Sequence, residues 1–222
     1  MATSYYSIVI ALASLILSMS VAYFAYFRPA KPKMLIGSNL IILNSYLDIG
    51  SKRLWGGLSF YVPITFYNWS PKGSSIHQVR IIIGRKDDPT KYFDMVWNTF
   101  VEVVKGENRW EDVEIARPIA LAAHASISKF IRFDWSPLTG EKIDIQAKEY
   151  SLIVLAWVRN TEKPELVFET SFFITEEQSK LYKQTVVDNN VSPILITLGV
   201  NQRVNNVMTK DQIKSFYGKG TL

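Results

Sequence analysis

His77 and His124 are the two histidines in a chain of 222 residues, and they are the first place to look for proton transfer near neutral pH. His124 lies in Ala-Ala-His-Ala-Ser, close enough to Ser126 and Ser128 to suggest a base with its nucleophile. A serine hydrolase of that kind also needs a sharp nucleophile elbow and an oxyanion loop, and neither pattern is present. Zinc needs three or four ligands held together, yet no HxH or HxxxH spacing occurs. The chain has no cysteine, which excludes thiol catalysis, thiolate metal sites and a disulfide framework. Both histidines are read as structural. A membrane-anchored hydrolase using His124 is kept as an alternative.

Carboxylates cluster at Asp87-Asp88, at Glu111-Asp112-Glu114 and at Glu176-Glu177. Calcium wants several oxygens from one loop, but none of these runs has the alternating D-x-D-x-D-G arrangement, and each is read as a solvated face. The glycines are scattered in turns, with no P-loop and no dinucleotide fingerprint. No cofactor, metal or catalytic residue is expected, and a non-enzymatic role follows.

Six tryptophans remain as recognition chemistry. Trp157 sits in the most apolar run and is assigned to the core. Trp69, in the polar turn Asn68-Trp-Ser-Pro-Lys-Gly-Ser74, is expected to be exposed. An exposed loop tryptophan anchors an interface or dips into a bilayer surface, so Trp69 is the candidate partner contact. An outward-facing ligand- or glycan-binding domain using such a ring is the second alternative.

These residues must be carried by an unusual beginning. From Met1 to Phe27 no side chain carries a charge. The 23 residues from Tyr5 to Phe27, at about 1.5 Å each, reach about 34 Å and match a hydrocarbon layer of about 30 Å. Tyr5 and Tyr6 mark one interface. Tyr23, Tyr26 and Phe27 mark the other, followed by the cations Arg28, Lys31 and Lys33, which lipid excludes. Ser20-Val21-Ala22 resembles a signal-peptide cleavage site, but the n-region has no cation and the apolar run exceeds the usual h-region. A retained transmembrane helix is the reading adopted, over a signal peptide or a buried core helix. The excess of Lys and Arg after the span places the C-terminal domain in the cytoplasm by the positive-inside rule; if the rule fails here, the domain is extracytoplasmic. Ser14, Ser18 and Ala22, four apart, form a small-residue stripe that could admit a second helix.

The net charge of +5 is concentrated beside the membrane: beyond Lys33 there are 22 basic against 20 acidic residues and no basic run. Nucleic acid is therefore not expected as a partner. The expected partners are the lipid bilayer and either another membrane protein or further copies of the chain; no small-molecule ligand is expected.

Beyond the basic juxtamembrane linker 28–33 and the N-terminal cap 1–4, residues 34–175 read as β-structure. Leu58, Phe60, Val62, Ile64 and Phe66 alternate with Ser59, Tyr61, Pro63, Thr65 and Tyr67, the period of a half-buried strand. Pro63 cannot donate to a ladder and suggests an edge or a bulge. Lys52 to Gly57 reads as a turn. Further strands are expected at Asn39–Leu43, at Ile76–Gly84 (with His77, Val79, Ile81 and Ile83 inward), at Tyr92–Val104 and at Ser126–Phe133. Tyr150–Val158, nearly continuous hydrophobe, reads as a strand covered on both faces, and Leu166–Ile174 follows it. Leu58–Phe66 with Ile76–Ile83, and Tyr150–Val158 with Leu166–Ile174, are expected as hairpins. This pattern predicts an all-β, antiparallel β-sandwich of immunoglobulin or fibronectin type. The remainder, 176–222, is expected to be a short helical or extended tail. Thr175 and Gln178 have capping-box spacing, Pro193–Leu198 could form a last strand, and Thr209 to Gln212 repeats the capping spacing.

Overall fold

The computed structural model describes residues 2–27, 29–49, 52–104, 110–136 and 141–199. The uncharged N-terminal run, with its Ala, Leu and Met, favours helix, and it forms α1 (Ala2–Ala22) followed by one π-helical stretch, Tyr23–Phe27. Its 18-residue window Tyr5–Ala22 has a mean hydropathy of 1.9, and none of it is buried inside the protein. A helix that packed in a core would hide one face, so the core-helix alternative is set aside. Among the described residues, one helix is thus long and apolar enough to cross a membrane.

Prolines 29 and 32 end the helical stretch, since proline lacks the donor that a helix needs, and the chain turns to antiparallel β-structure. The strands are β1 (Lys33–Ile36), β2 (Asn39–Ile49), β3 (Lys52–Asn68), β4 (Ser74–Ile76), β5 (Gln78–Arg85) and β6 (Tyr92–Val103). They continue with β7 (Trp110–Ile115), β8 (Ile119–Leu121), β9 (Ala125–Trp135), β10 (Glu149–Trp157) and β11 (Leu166–Phe173). Helix α2 (Glu176–Val187) and β12 (Ile194–Thr197) complete the chain. The main sheet runs β11-β10-β5-β6-β9-β3-β2-β12, with β1 on β3 and β7 on β6; β4 and β8 pair separately. Beyond β12, the Gly199 N–H donates to the Ser171 carbonyl of β11 at 3.0 Å, bringing the two ends of the path together. The result is one nearly closed, barrel-like sheet where the sequence predicts two packed sheets.

β6 makes the closure possible. Its first half, Tyr92–Val96, pairs with β5, and its second half pairs with β9 after a register shift between Trp97 and Thr99. An extra residue of this kind bends a strand and sharpens its twist. Inside, the alternation of β3 holds: Leu58, Phe60, Val62, Ile64 and Phe66 are all buried, with Phe133, Tyr150, Leu152 and Phe172 facing them. Burying each large apolar side chain contributes about 1.5–3 kcal/mol relative to leaving it in water.

Several expectations are corrected. Residues 52–57 are not a turn but the start of β3; Gly57, at φ 124, lies at a bulge opposite Ser45–Tyr46. Pro63 lies in an interior strand. Its carbonyl accepts from the Gly37 N–H at 2.8 Å, and in an antiparallel strand one residue's N–H and C=O point to the same side. The missing donor thus faces the seam between β1 and β2 rather than β9. β3 and β5 do not form a hairpin, because the chain crosses between them through β4 and β5 is held between β10 and β6. β10 and β11 do pair. β10 alternates rather than being covered on both faces: Tyr150, Leu152, Val154 and Ala156 are buried, while Trp157 points outward and is half-buried.

Segment 176–197 packs into the domain. The capping box forms, with Thr175 Oγ1 accepting from the Gln178 N–H at 3.2 Å and Gln178 Oε1 from the Thr175 N–H at 2.9 Å. Asn44 Nδ2 donates to Thr185 Oγ1 at 2.7 Å, Ser179 Oγ donates to the Ile145 carbonyl at 3.0 Å, and β12 pairs with β2. Thr209 to Gln212 lies outside the described residues.

Candidate membrane-interface site

The residues singled out for the bilayer lie along α1, the π-helical stretch and the linker that follows. Tyr5, Tyr6, Tyr23, Tyr26 and Phe27 are all exposed, and Tyr23 stands edge-on to Phe24 with ring centroids 5.7 Å apart. Ser14 and Ser18 are exposed and Ala22 is half-buried; among the described residues no second element packs on that stripe. Arg28 lies outside the described residues. Lys31 and Lys33 are exposed, with Pro32 buried between them.

The linker does not hang free. The Lys31 N–H donates to Ser70 Oγ at 3.0 Å, clasping the linker to the loop that carries Trp69. That loop is built by Asn68, which is fully buried. Its Nδ2 donates to the Lys72 carbonyl at 2.7 Å and to the Ala122 carbonyl at 3.2 Å, and its Oδ1 accepts from the Ser70 N–H at 3.0 Å. The last bond is an Asx turn, which fixes the backbone locally. The Ser70 carbonyl in turn accepts from the His124 N–H at 3.2 Å, where His124 has φ +50. On this rigid turn Trp69 is 72% exposed, its ring edge-on to Tyr67 at 6.1 Å. Of the six tryptophans it alone is exposed. Lys33 stands directly across the ladder from Tyr67.

A cleft of about 460 Å³ opens beside the linker, lined by Pro29, Lys31, Pro32, Arg159, Glu165 and Leu166 among others. Glu165 closes its far wall, accepting from the Val158 N–H at 2.9 Å and from Arg159 Nε at 3.1 Å. Desolvation opposes its ionisation, but those donors outweigh it and hold its carboxyl below the usual range.

The other candidates come apart. His77, expected inward, is exposed just before β5 and bonds through Nε2 to Ser75 Oγ at 2.9 Å. Among the described residues no hydrogen bond joins His124 to Ser126 or Ser128, and Ser128 Oγ pairs with Thr65 Oγ1 at 2.8 Å. The carboxylates meet cations: Asp87 meets Arg85 at 3.2 Å, Asp112 meets Arg132 at 2.8 Å and Glu114 meets Arg117 at 2.9 Å. Among the described residues no three His, Asp or Glu come together as a metal site.

Asp112, Arg132 and Asp134 form an ordered network on the outer face of β9, with Ser59 Oγ donating to Asp134 at 2.6 Å. Burial works against the charge on Arg132, yet its hydrogen bond to Asp134 raises its pKa overall. Beside it, Trp110 stacks on Phe130 at 4.5 Å and both lie near Tyr61. These groups satisfy one another and hold β7 on the sheet.

Reasoning from sequence missed Ser70, Lys72 and the clasp to Lys31. The Asn-x-Ser order of an Asx turn was the available signal, but a contact across 39 positions leaves no local trace.

No protein-family model matches the chain, and no characterised protein sequence matches it. One solved structure aligns, the sporulation control protein Spo0M from Bacillus subtilis, at 8% identity and a TM-score of 0.31. The alignment covers 73% of this chain and 56% of that one.

Proposed function

We propose that the chain is a single-pass membrane protein, held by a retained α1, whose β-domain is a non-enzymatic interaction module or accessory subunit of a membrane complex. The observation that carries this reading is the uncovered apolar helix joined through a clasped linker to a well-packed domain. Anchoring confines the domain to a thin layer, which raises the effective concentration of any membrane-bound partner. The positive-inside rule supports a cytoplasmic domain. An immunoglobulin- or fibronectin-like arrangement of that nearly closed sheet belongs to this proposal, supported by the bend that carries β6 from one half of the sheet to the other.

The test is chemical crosslinking in the native membrane, followed by mild detergent extraction and native mass measurement. A discrete assembly, with another membrane protein or with further copies, is expected. A chain that runs alone and crosslinks to nothing contradicts the reading. The exposed ring of Trp69 also favours a second reading, an outward-facing domain that stacks a ligand such as a glycan. Protease treatment of intact cells separates the two, because a cytoplasmic domain is protected and an outward one is cleaved.

A further inference from the structure

Phe27 and Lys31 are four residues apart, a tether of about 14 Å at full extension. Lys31 is in turn bonded to Ser70, beside Trp69. If α1 spans a bilayer, the Trp69 loop is therefore kept beside the headgroup layer, which is about 5–8 Å deep on each side. The surface there has the composition that such a layer selects. Trp69 presents a wide amphipathic ring with Tyr67 edge-on to it, and Lys31, Lys33 and Lys72 lie on the segments bonded to or paired with this loop. Among the described residues none of these three lysines is in an ion pair. Tryptophan and tyrosine settle at the polar–apolar boundary, and lysines near an anionic leaflet are each attracted by an interaction equivalent to about fivefold in binding. The rings of Tyr23, Tyr26 and Phe27 lie just upstream, so Trp69 extends a belt that the helix already carries.

We propose that Trp69, together with Lys31, Lys33 and Lys72, seats the β-domain on the anionic headgroup surface of the same bilayer that α1 crosses. This deepens the anchored reading and rests on it. The loop is built for such a task. Asn68 holds its backbone from below, so the exposed ring enters the interface without loop ordering having to accompany insertion. The domain then has two attachments, one covalent and one adsorbed, which limits its rotation and turns a fixed face toward partners.

The test uses the full chain in lipid discs holding one copy each, made of phosphatidylcholine with phosphatidylglycerol and carrying brominated lipid as a quencher. Subtracting the emission of Trp69→Phe from that of the unmodified chain isolates the signal of Trp69. That signal is expected to be blue-shifted and quenched. The quenching should fall in discs of phosphatidylcholine alone and in the triple variant Lys31→Glu, Lys33→Glu, Lys72→Glu. A reporter of the span, Leu12→Trp in the Trp69→Phe background, is measured alongside.

A water-like, unquenched Trp69 signal with a quenched Leu12→Trp overturns the seating and leaves the anchor standing. An unquenched Leu12→Trp refutes the anchor itself. Quenching that the triple variant leaves unchanged overturns the part assigned to the lysines. Shielding of Trp69 that appears only in discs with two or more copies assigns the ring to a second copy and overturns the proposal.

Discussion

Asn68 supports the candidate site from below, since the exposed tryptophan beside it is held by bonds that Asn68 makes. Replacing a buried group that satisfies three backbone partners leaves those partners unpaired, and each such loss costs about 1–3 kcal/mol before relaxation. Asn68→Ala should lower unfolding free energy by about 2–3 kcal/mol in urea and free the Trp69 loop, seen as faster hydrogen exchange at Ser70. A change below measurement error would show that the Asx turn is maintained by something else. Trp69 itself was legible, because a polar turn with proline has no core to bury a ring in. Trp157 was not: its run is apolar at nearly every position, so composition hides which residues alternate inward. His77 was not legible either: its N–H still bonds to the Trp157 carbonyl at 2.7 Å, but it lies just before β5, where its ring is exposed.

At the scale of elements, α2 was the clearest success. Thr175 and Gln178 announced its start, and both capping bonds form. Thr175→Ala should destabilise the domain by about 1 kcal/mol, with the loss shared by the packing of Tyr182 and Ser179; thermal unfolding monitored by circular dichroism checks it. An unchanged midpoint would mean that packing alone fixes the helix. The long strands were legible through their period-two burial, β3 above all. The short ones were not. β1, β4 and β8 have three or four residues each, too few to show a period, and β7 reads Trp-Glu-Asp-Val-Glu-Ile, whose carboxylates are held by Arg132, Lys129 and Arg117 on neighbouring segments. The false turn at 52–57 has a physical basis as well, because the glycine that marks a bulge is the same residue that marks a turn.

For the whole molecule, sheet closure was the part that sequence could not reveal. Which strand lies beside which depends on crossings such as β4 and on the bend in β6, and neither leaves a local pattern. Burial of phenols has a consequence for pH. Burial raises the pKa of Tyr61, Tyr150 and Tyr182 above the ordinary phenol value, most strongly for Tyr182. A group whose folded pKa is raised gives stability that is fully present below its unfolded value of about 10. That stability is lost as the pH climbs beyond it, because only the unfolded chain then releases the proton. The domain should therefore unfold in alkali, with tyrosinate absorbance appearing together with the loss of β-signal, and Tyr182→Phe should move that transition to higher pH. Tyrosinate appearing well before the β-signal is lost would show these phenols to be more open than the fold has them.

The central claim is that a charge-free helix remains attached and crosses the bilayer, with a β-domain clasped beneath it. Its most direct test is the intact mass of the chain recovered from membranes after alkaline carbonate washing. Full-length protein, including Tyr5 through Phe27, should be retained in the pellet. A carbonate-soluble chain whose mass begins near Tyr23 would contradict the claim.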